Sequence, residues 1–216
     1  MQKSQFSRPL FLKTFGLIGS NITHLRLDGS SADPKTLLQL LSRSEPLTVP
    51  SKLNLRSLSL SLKCNTNSET NLRLLVTSCP ELEYIFISYL STDLSMPLET
   101  LKAHAPQLRC LEIYNRVYAS YTSSYEDKEW QNTSSQPGLR EIALLGLNET
   151  PDECIIVILD DQQWTLEVLS LYDLDCESRV AEYLSRYPWP MLREVTLTDS
   201  AIFDDNLCAF LKKCPF

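Results

Sequence analysis

A chain of 216 residues with 43% hydrophobic content is long enough to bury a core and too apolar for a disordered tail. A formal charge of -7 and a pI near 4.9 exclude the basic face that nucleic-acid binding needs. No run of about 18 apolar residues is present to span a bilayer, so no membrane partner is expected.

In chain order, Met1 to Leu12 lacks the apolar core and small-residue cleavage site of a signal peptide. Residues 1–20 predict the helical half of a preceding repeat or an N-terminal cap, with Gly19 as its stop. Ile22-Thr-His-Leu25-Arg-Leu27 predicts a strand, its apolar residues three and five places after the first. The same spacing returns at Leu55-Arg-Ser-Leu58-Ser-Leu60, Leu82-Glu-Tyr-Ile85-Phe-Ile87 and Leu108-Arg-Cys-Leu111-Glu-Ile113. It returns again at Leu139-Arg-Glu-Ile142-Ala-Leu144, Leu166-Glu-Val-Leu169-Ser-Leu171 and Leu192-Arg-Glu-Val195-Thr-Leu197. Subtracting the first residue numbers 22, 55, 82, 108, 139, 166 and 192 in turn gives intervals of 33, 27, 26, 31, 27 and 26. One such hexapeptide is a weak signal, but seven near a period in the high twenties mark a leucine-rich array.

Helices are predicted between the strands. Asp33-Pro34 opens one with Leu37, Leu38, Leu40 and Leu41 as its apolar face, and Ser68 with Asn71 opens the next. Pro97 to Ala105 and Arg179 to Tyr187 follow the same plan, and Thr150-Pro151-Asp152-Glu153 starts a helix over Cys154 to Leu159. Asp204 or Asp205 caps the last, with Leu207, Cys208, Phe210 and Leu211 inward. A proline just past each helix is expected to end it, having no N–H and restricting the residue before it.

Strand–helix alternation at this period requires parallel strands and right-handed crossovers. The expected fold is α/β: a right-handed leucine-rich-repeat solenoid, or horseshoe, with the parallel sheet on the concave face and helices on the convex face. Residues 1–216 read as one domain of about seven strand–helix repeats. Its last residues, Lys213-Cys214-Pro215-Phe216, stop where another strand is due, as in a chain truncated at the C-terminus.

The first, fourth and sixth strand positions are expected in the core and the third, fifth and seventh on the concave face. That face then presents Tyr84, Phe86, Glu112, Tyr114, Glu141, Leu145, Val168 and Tyr172 as the partner-binding residues, with Cys110 and Glu194 beside them. Aromatic rings on a solvated surface are the composition of an interface. The acidic residues point to a protein partner of basic and apolar character. The alternative is that the rings pack on loops or on each other. Residues 115–136 form an insertion holding Tyr118, Tyr121, Tyr125 and Trp130, read either as a binding loop or as core of a divergent repeat.

Cys79-Pro80-Glu-Leu82-Glu-Tyr-Ile85 and the closing Lys-Lys-Cys214-Pro215 resemble cysteine-containing, ribonuclease-inhibitor-like leucine-rich repeats. Phe11-Leu12-Lys13-Thr-Phe-Gly16 through Leu25-Arg-Leu27 resembles the opening of the repeats in fungal F-box/leucine-rich-repeat proteins. The resemblance implies a substrate-recognition part of an SCF-type ubiquitin ligase, feeding proteasomal degradation. No F-box segment lies in residues 1–21, so a Skp-type adaptor and cullin scaffold are implied only where the parent protein carries one. A free-standing intracellular scaffold, for instance a regulator of a small GTPase, is the alternative.

Catalysis, cofactors and metals are not expected. The two histidines, His24 and His104, lack a nucleophile and an orienting group, and Asp160-Asp161 lacks partners at metal spacing. The seven cysteines, Cys64, Cys79, Cys110, Cys154, Cys176, Cys208 and Cys214, include no C-x-x-C pair and no histidine at zinc spacing. Reduced thiols place the chain in the cytoplasm or nucleus, and the sequons at Asn21, Asn132 and Asn148 read as chance. An extracellular ectodomain is the disfavoured third reading.

Overall fold

The computed structural model describes residues 22–31, 52–62, 68–89, 95–115, 138–146, 150–172, 179–198 and 204–215. Its strands are β1 (His24–Ser31), β2 (Ser57–Leu62), β3 (Tyr84–Tyr89), β4 (Cys110–Asn115), β5 (Glu141–Leu145), β6 (Val168–Tyr172) and β7 (Glu194–Thr198). The helices are α1 (Ser68–Thr77), α2 (Ser95–His104), α3 (Asp152–Asp160), α4 (Arg179–Arg186) and α5 (Asp204–Leu211). The fold is α/β, with one seven-stranded, all-parallel sheet whose strands lie in sequence order. The predicted helical half within residues 1–20, the helix opened by Asp33 and the insertion beyond Asn115 fall outside the described residues.

Register turns the sequence repeat into rows. Leu58, Ile85, Leu111, Ile142, Leu169 and Val195 are partners across successive strands. So are Leu60, Ile87, Ile113, Leu144, Leu171 and Leu197, two residues further along. A third row, Leu55, Leu82, Leu108, Leu139, Leu166 and Leu192, is buried just ahead of the strands. These rows meet Leu72, Leu75, Leu98, Leu101, Ile155, Leu159, Val180, Leu184 and Phe210 of the helices in one continuous core. Fully burying such a side chain contributes about 1.5–3 kcal/mol, so the core is built by stacking, each repeat covering its neighbour.

Each strand after the first begins two residues later than the hexapeptide that announces it. The cause is a turn. The amides of Leu82, Leu108 and Leu192 donate to the carbonyls of Cys79, Ala105 and Trp189, three residues back, at 3.1, 3.1 and 3.2 Å. Only then does sheet pairing start, as the amides of Glu83 and Tyr84 both donate to the Arg56 carbonyl at 2.8 and 2.9 Å. The pattern repeats from Glu83 to Arg109 and Cys110, and from Arg140 to Glu167 and Val168.

The helix ends follow sequence with two corrections. Pro80, Pro106, Pro188 and Pro215 follow α1, α2, α4 and α5, but α3 runs into the turn Asp161–Thr165, which holds no proline. Helix α3 has Pro151 at its cap with no side-chain capping bond, so Thr150 does not cap it; Asp152 and Glu153 favour its positive end instead. In α5, Phe210 is buried and Leu207 half-buried, whereas Cys208 and Leu211 are exposed against the expectation that they face inward. Helix α5 packs on α4.

Candidate functional site

Strand alternation puts positions three, five and seven on the face of the sheet away from the described helices. Tyr84, Cys110, Glu141, Val168 and Glu194 form one cross-strand row; Phe86, Glu112, Ala143, Ser170 and Thr196 form the next. Ser88, Tyr114, Leu145, Tyr172 and Thr198 form the third. All eight sequence-nominated residues therefore share this face. Tyr84, Cys110 and Tyr114 are buried yet stand apart from the continuous apolar core, as residues on the opposite side of the sheet should.

Their accessibility differs from a fully solvated surface. Tyr84, Tyr114 and Glu141 are buried at 5%, 6% and 8% exposure, whereas Phe86, Glu112, Leu145, Val168 and Tyr172 are half-buried. Neighbouring strands stand about 4.8 Å apart, so large side chains in the middle of the sheet cover one another. Toward β7, where Glu194 and Thr198 sit, the face opens to solvent. At the other end His24 and Arg26 are exposed, and the imidazole Nδ1 of His24 lies 2.9 Å from the Thr23 hydroxyl.

Two features of this face were not singled out by sequence. The Ser88 hydroxyl is buried and has no hydrogen-bond partner, the one such side chain among the described residues. Cys110, Glu112 and Glu141 bring one sulfur and two carboxylate oxygens within 4.8 Å of one another. Sequence spacing hides this set, because Glu141 lies in the next repeat. It becomes visible once the register pairs Cys110 with Glu141.

Elsewhere the polar groups serve the fold. Asp161 pairs with Lys102 of α2 at 2.6 Å, and Asp160 accepts a bond from Tyr183 at 2.7 Å, so the acid pair ties helices together. Arg140 is buried and pairs with Glu167 of the next repeat at 3.7 Å. Burial in the apolar core pushes the Cys79 thiol up to about 12, and burial also raises that of Cys214. Cys214 donates to the Phe210 carbonyl four residues back at 3.6 Å. Burial therefore disfavours the thiolate, the nucleophilic form, in both. Between α2 and α3 lies a cavity of about 300 Å³ with Leu98, Leu101, Leu108, Leu111, Leu139 and Ile158 in its walls. Its polar rim includes Lys102, Asp161 and Gln162, with no nucleophile among the described lining residues.

No helix among the described residues is long and apolar enough to cross a membrane. Comparison with protein-family models, with curated proteins and with solved structures finds no match.

Proposed function

We propose that the chain is a non-catalytic protein-binding module, a right-handed leucine-rich-repeat solenoid that holds its partner on the concave strand face. The observation that carries this reading is the seven-stranded parallel sheet in sequence order, with aromatic and acidic rows on the face away from the described helices. Phe86 and Tyr172 supply half-buried rings, and Glu112 and Glu194 supply negative charge. A partner segment with basic and apolar side chains complements that surface. The resemblance to fungal F-box/leucine-rich-repeat proteins extends the proposal: the module selects substrates for an SCF-type ubiquitin ligase in the cytoplasm or nucleus.

The test separates the two levels. Phe86→Ser and Tyr172→Ser together, with Glu194→Lys, should abolish partner capture while circular dichroism stays unchanged. Tyr84 and Tyr114 are poor choices for this purpose, since their burial couples them to folding. Undiminished capture by the folded triple variant sinks the face assignment. Affinity purification of the full-length gene product should bring down a Skp-type adaptor. Recovery of a small GTPase with no such adaptor would support a free-standing regulator instead.

A further inference from the structure

We propose that Cys110, Glu112 and Glu141 form a divalent-metal site, and that zinc is the cation it takes. The three donor atoms converge to within 4.8 Å of one another, from two adjacent strands. A tetrahedral zinc with bonds of about 2.3 Å to sulfur and 2.0–2.2 Å to oxygen needs donors about 3.5 Å apart. Side-chain shifts on the order of 1 Å therefore close the set.

Three observations favour a cation over a chance grouping. Cys110 and Glu141 are only 1% and 8% exposed, so this is not a cluster of solvated surface acids. Cys110 differs from the other buried cysteine among the described residues: Cys79 lies in the continuous apolar core, as a thiol acting as a small hydrophobe should, while Cys110 sits outside it beside two carboxylates. Two carboxylate oxygens this close to one another and to a sulfur form an anion-rich donor set of the kind a divalent cation suits.

The donor chemistry selects the metal. A thiolate with two carboxylates suits zinc, whereas calcium and magnesium take oxygen alone. On binding, the Cys110 S–H bond breaks, the sulfur pair forms the bond to zinc, and the proton leaves to solvent. Three protein ligands leave a fourth position for water. The site shares Glu112 and Glu141 with the proposed partner-binding face, but it requires only the register of β4 and β5, and its test reads metal alone.

The test uses the full chain, freed of metal by a chelator and kept reduced, then titrated with cobalt(II). A single equivalent should produce the intense near-ultraviolet band of a thiolate–cobalt bond, and zinc should abolish it. Cys110→Ser should remove the band and Cys208→Ser should leave it. Glu112→Gln and Glu141→Gln should weaken binding by at least about tenfold. Absence of the band in the native sequence, or its survival in Cys110→Ser, overturns the site. Where Cys110→Ser fails to fold, Glu112→Gln at a half-buried position decides: unchanged cobalt affinity overturns the site equally.

Discussion

The Tyr183 hydroxyl donates a 2.7 Å hydrogen bond to Asp160, tying the middle of α4 to the last residue of α3. A carboxylate at a helix C-terminus faces the negative end of the macrodipole, so Asp160 sits where an acid is unfavourable. The Tyr183 hydroxyl and, at 3.3 Å, the Gln163 amide compensate, while that amide also donates to the Tyr183 oxygen at 2.7 Å. The ring packs against Tyr187 and Trp189 at centroid distances of 4.8 and 6.3 Å.

Removing only the hydroxyl, Tyr183→Phe should cost about 0.5–1 kcal/mol in urea unfolding, with the ring contacts kept. The alkaline limb should change with it. Burial, followed by the Asp160 bond, raises the Tyr183 phenol above its ordinary 10.0. Folding therefore favours the protonated form. That stabilisation is full below 10 and is lost as pH rises toward the folded value, where the unfolded chain has already released its proton. Melting temperature in the native chain should fall from about pH 10 upward more steeply than in Tyr183→Phe; parallel curves would remove the phenol from the account.

Trp189 and Trp164 make opposite predictions. Trp189 is fully buried, its indole N–H donates to the Leu184 carbonyl at 3.0 Å, and Phe210 packs edge-on at 6.4 Å. Trp189→Ala should cost about 3–5 kcal/mol. Trp164 is 65% exposed, so Trp164→Phe should change stability by less than about 0.5 kcal/mol. It should remove an emission component that iodide quenches, whereas Trp189→Phe should not.

Gly138 marks the seam where β5 begins. Its φ of +145° is disfavoured for other residues, and an added Cβ would lie 2.7 Å from the Thr165 hydroxyl. That hydroxyl is held by a 2.9 Å bond to the Leu139 carbonyl. Gly138→Ala should therefore destabilise by about 1–3 kcal/mol in chemical denaturation. Adding Thr165→Ala should recover part of the loss, the clash but not the backbone strain. A neutral Gly138→Ala would show that the turn relaxes freely.

Thiol labelling at pH 8 should sort the cysteines by environment. Cys208 is exposed and should react within minutes, whereas Cys79 should react only when the chain unfolds. Its raised thiol is stabilising below about 9 and that contribution fades as pH climbs toward 12. Rapid native labelling of Cys79, read by mass spectrometry after digestion, would contradict its burial.

Much of the fold was legible because leucine spacing encodes both strand position and core side. Leu58, Ile85 and Leu111 face the core as the alternation requires. Degree of burial was not legible: alternation assigns Tyr84 and Phe86 to the same face, but only packing makes one buried and the other half-buried. Residues that meet through register, such as Cys110 with Glu141, or through helix stacking, such as Tyr183 with Asp160, are far apart in sequence and carry no local motif. Trp164 carried a signal that sequence alone offered, an aromatic where Pro80, Pro106 and Pro190 stand in other repeats.

Each described strand pairs only with its neighbours in sequence, and under the proposed solenoid this predicts nearest-neighbour couplings rather than one global nucleus. A weakened junction then acts like a broken link in a chain. Loss of the contacts around Gly138 would let the repeats on either side melt at separate temperatures, giving two unfolding transitions in place of one.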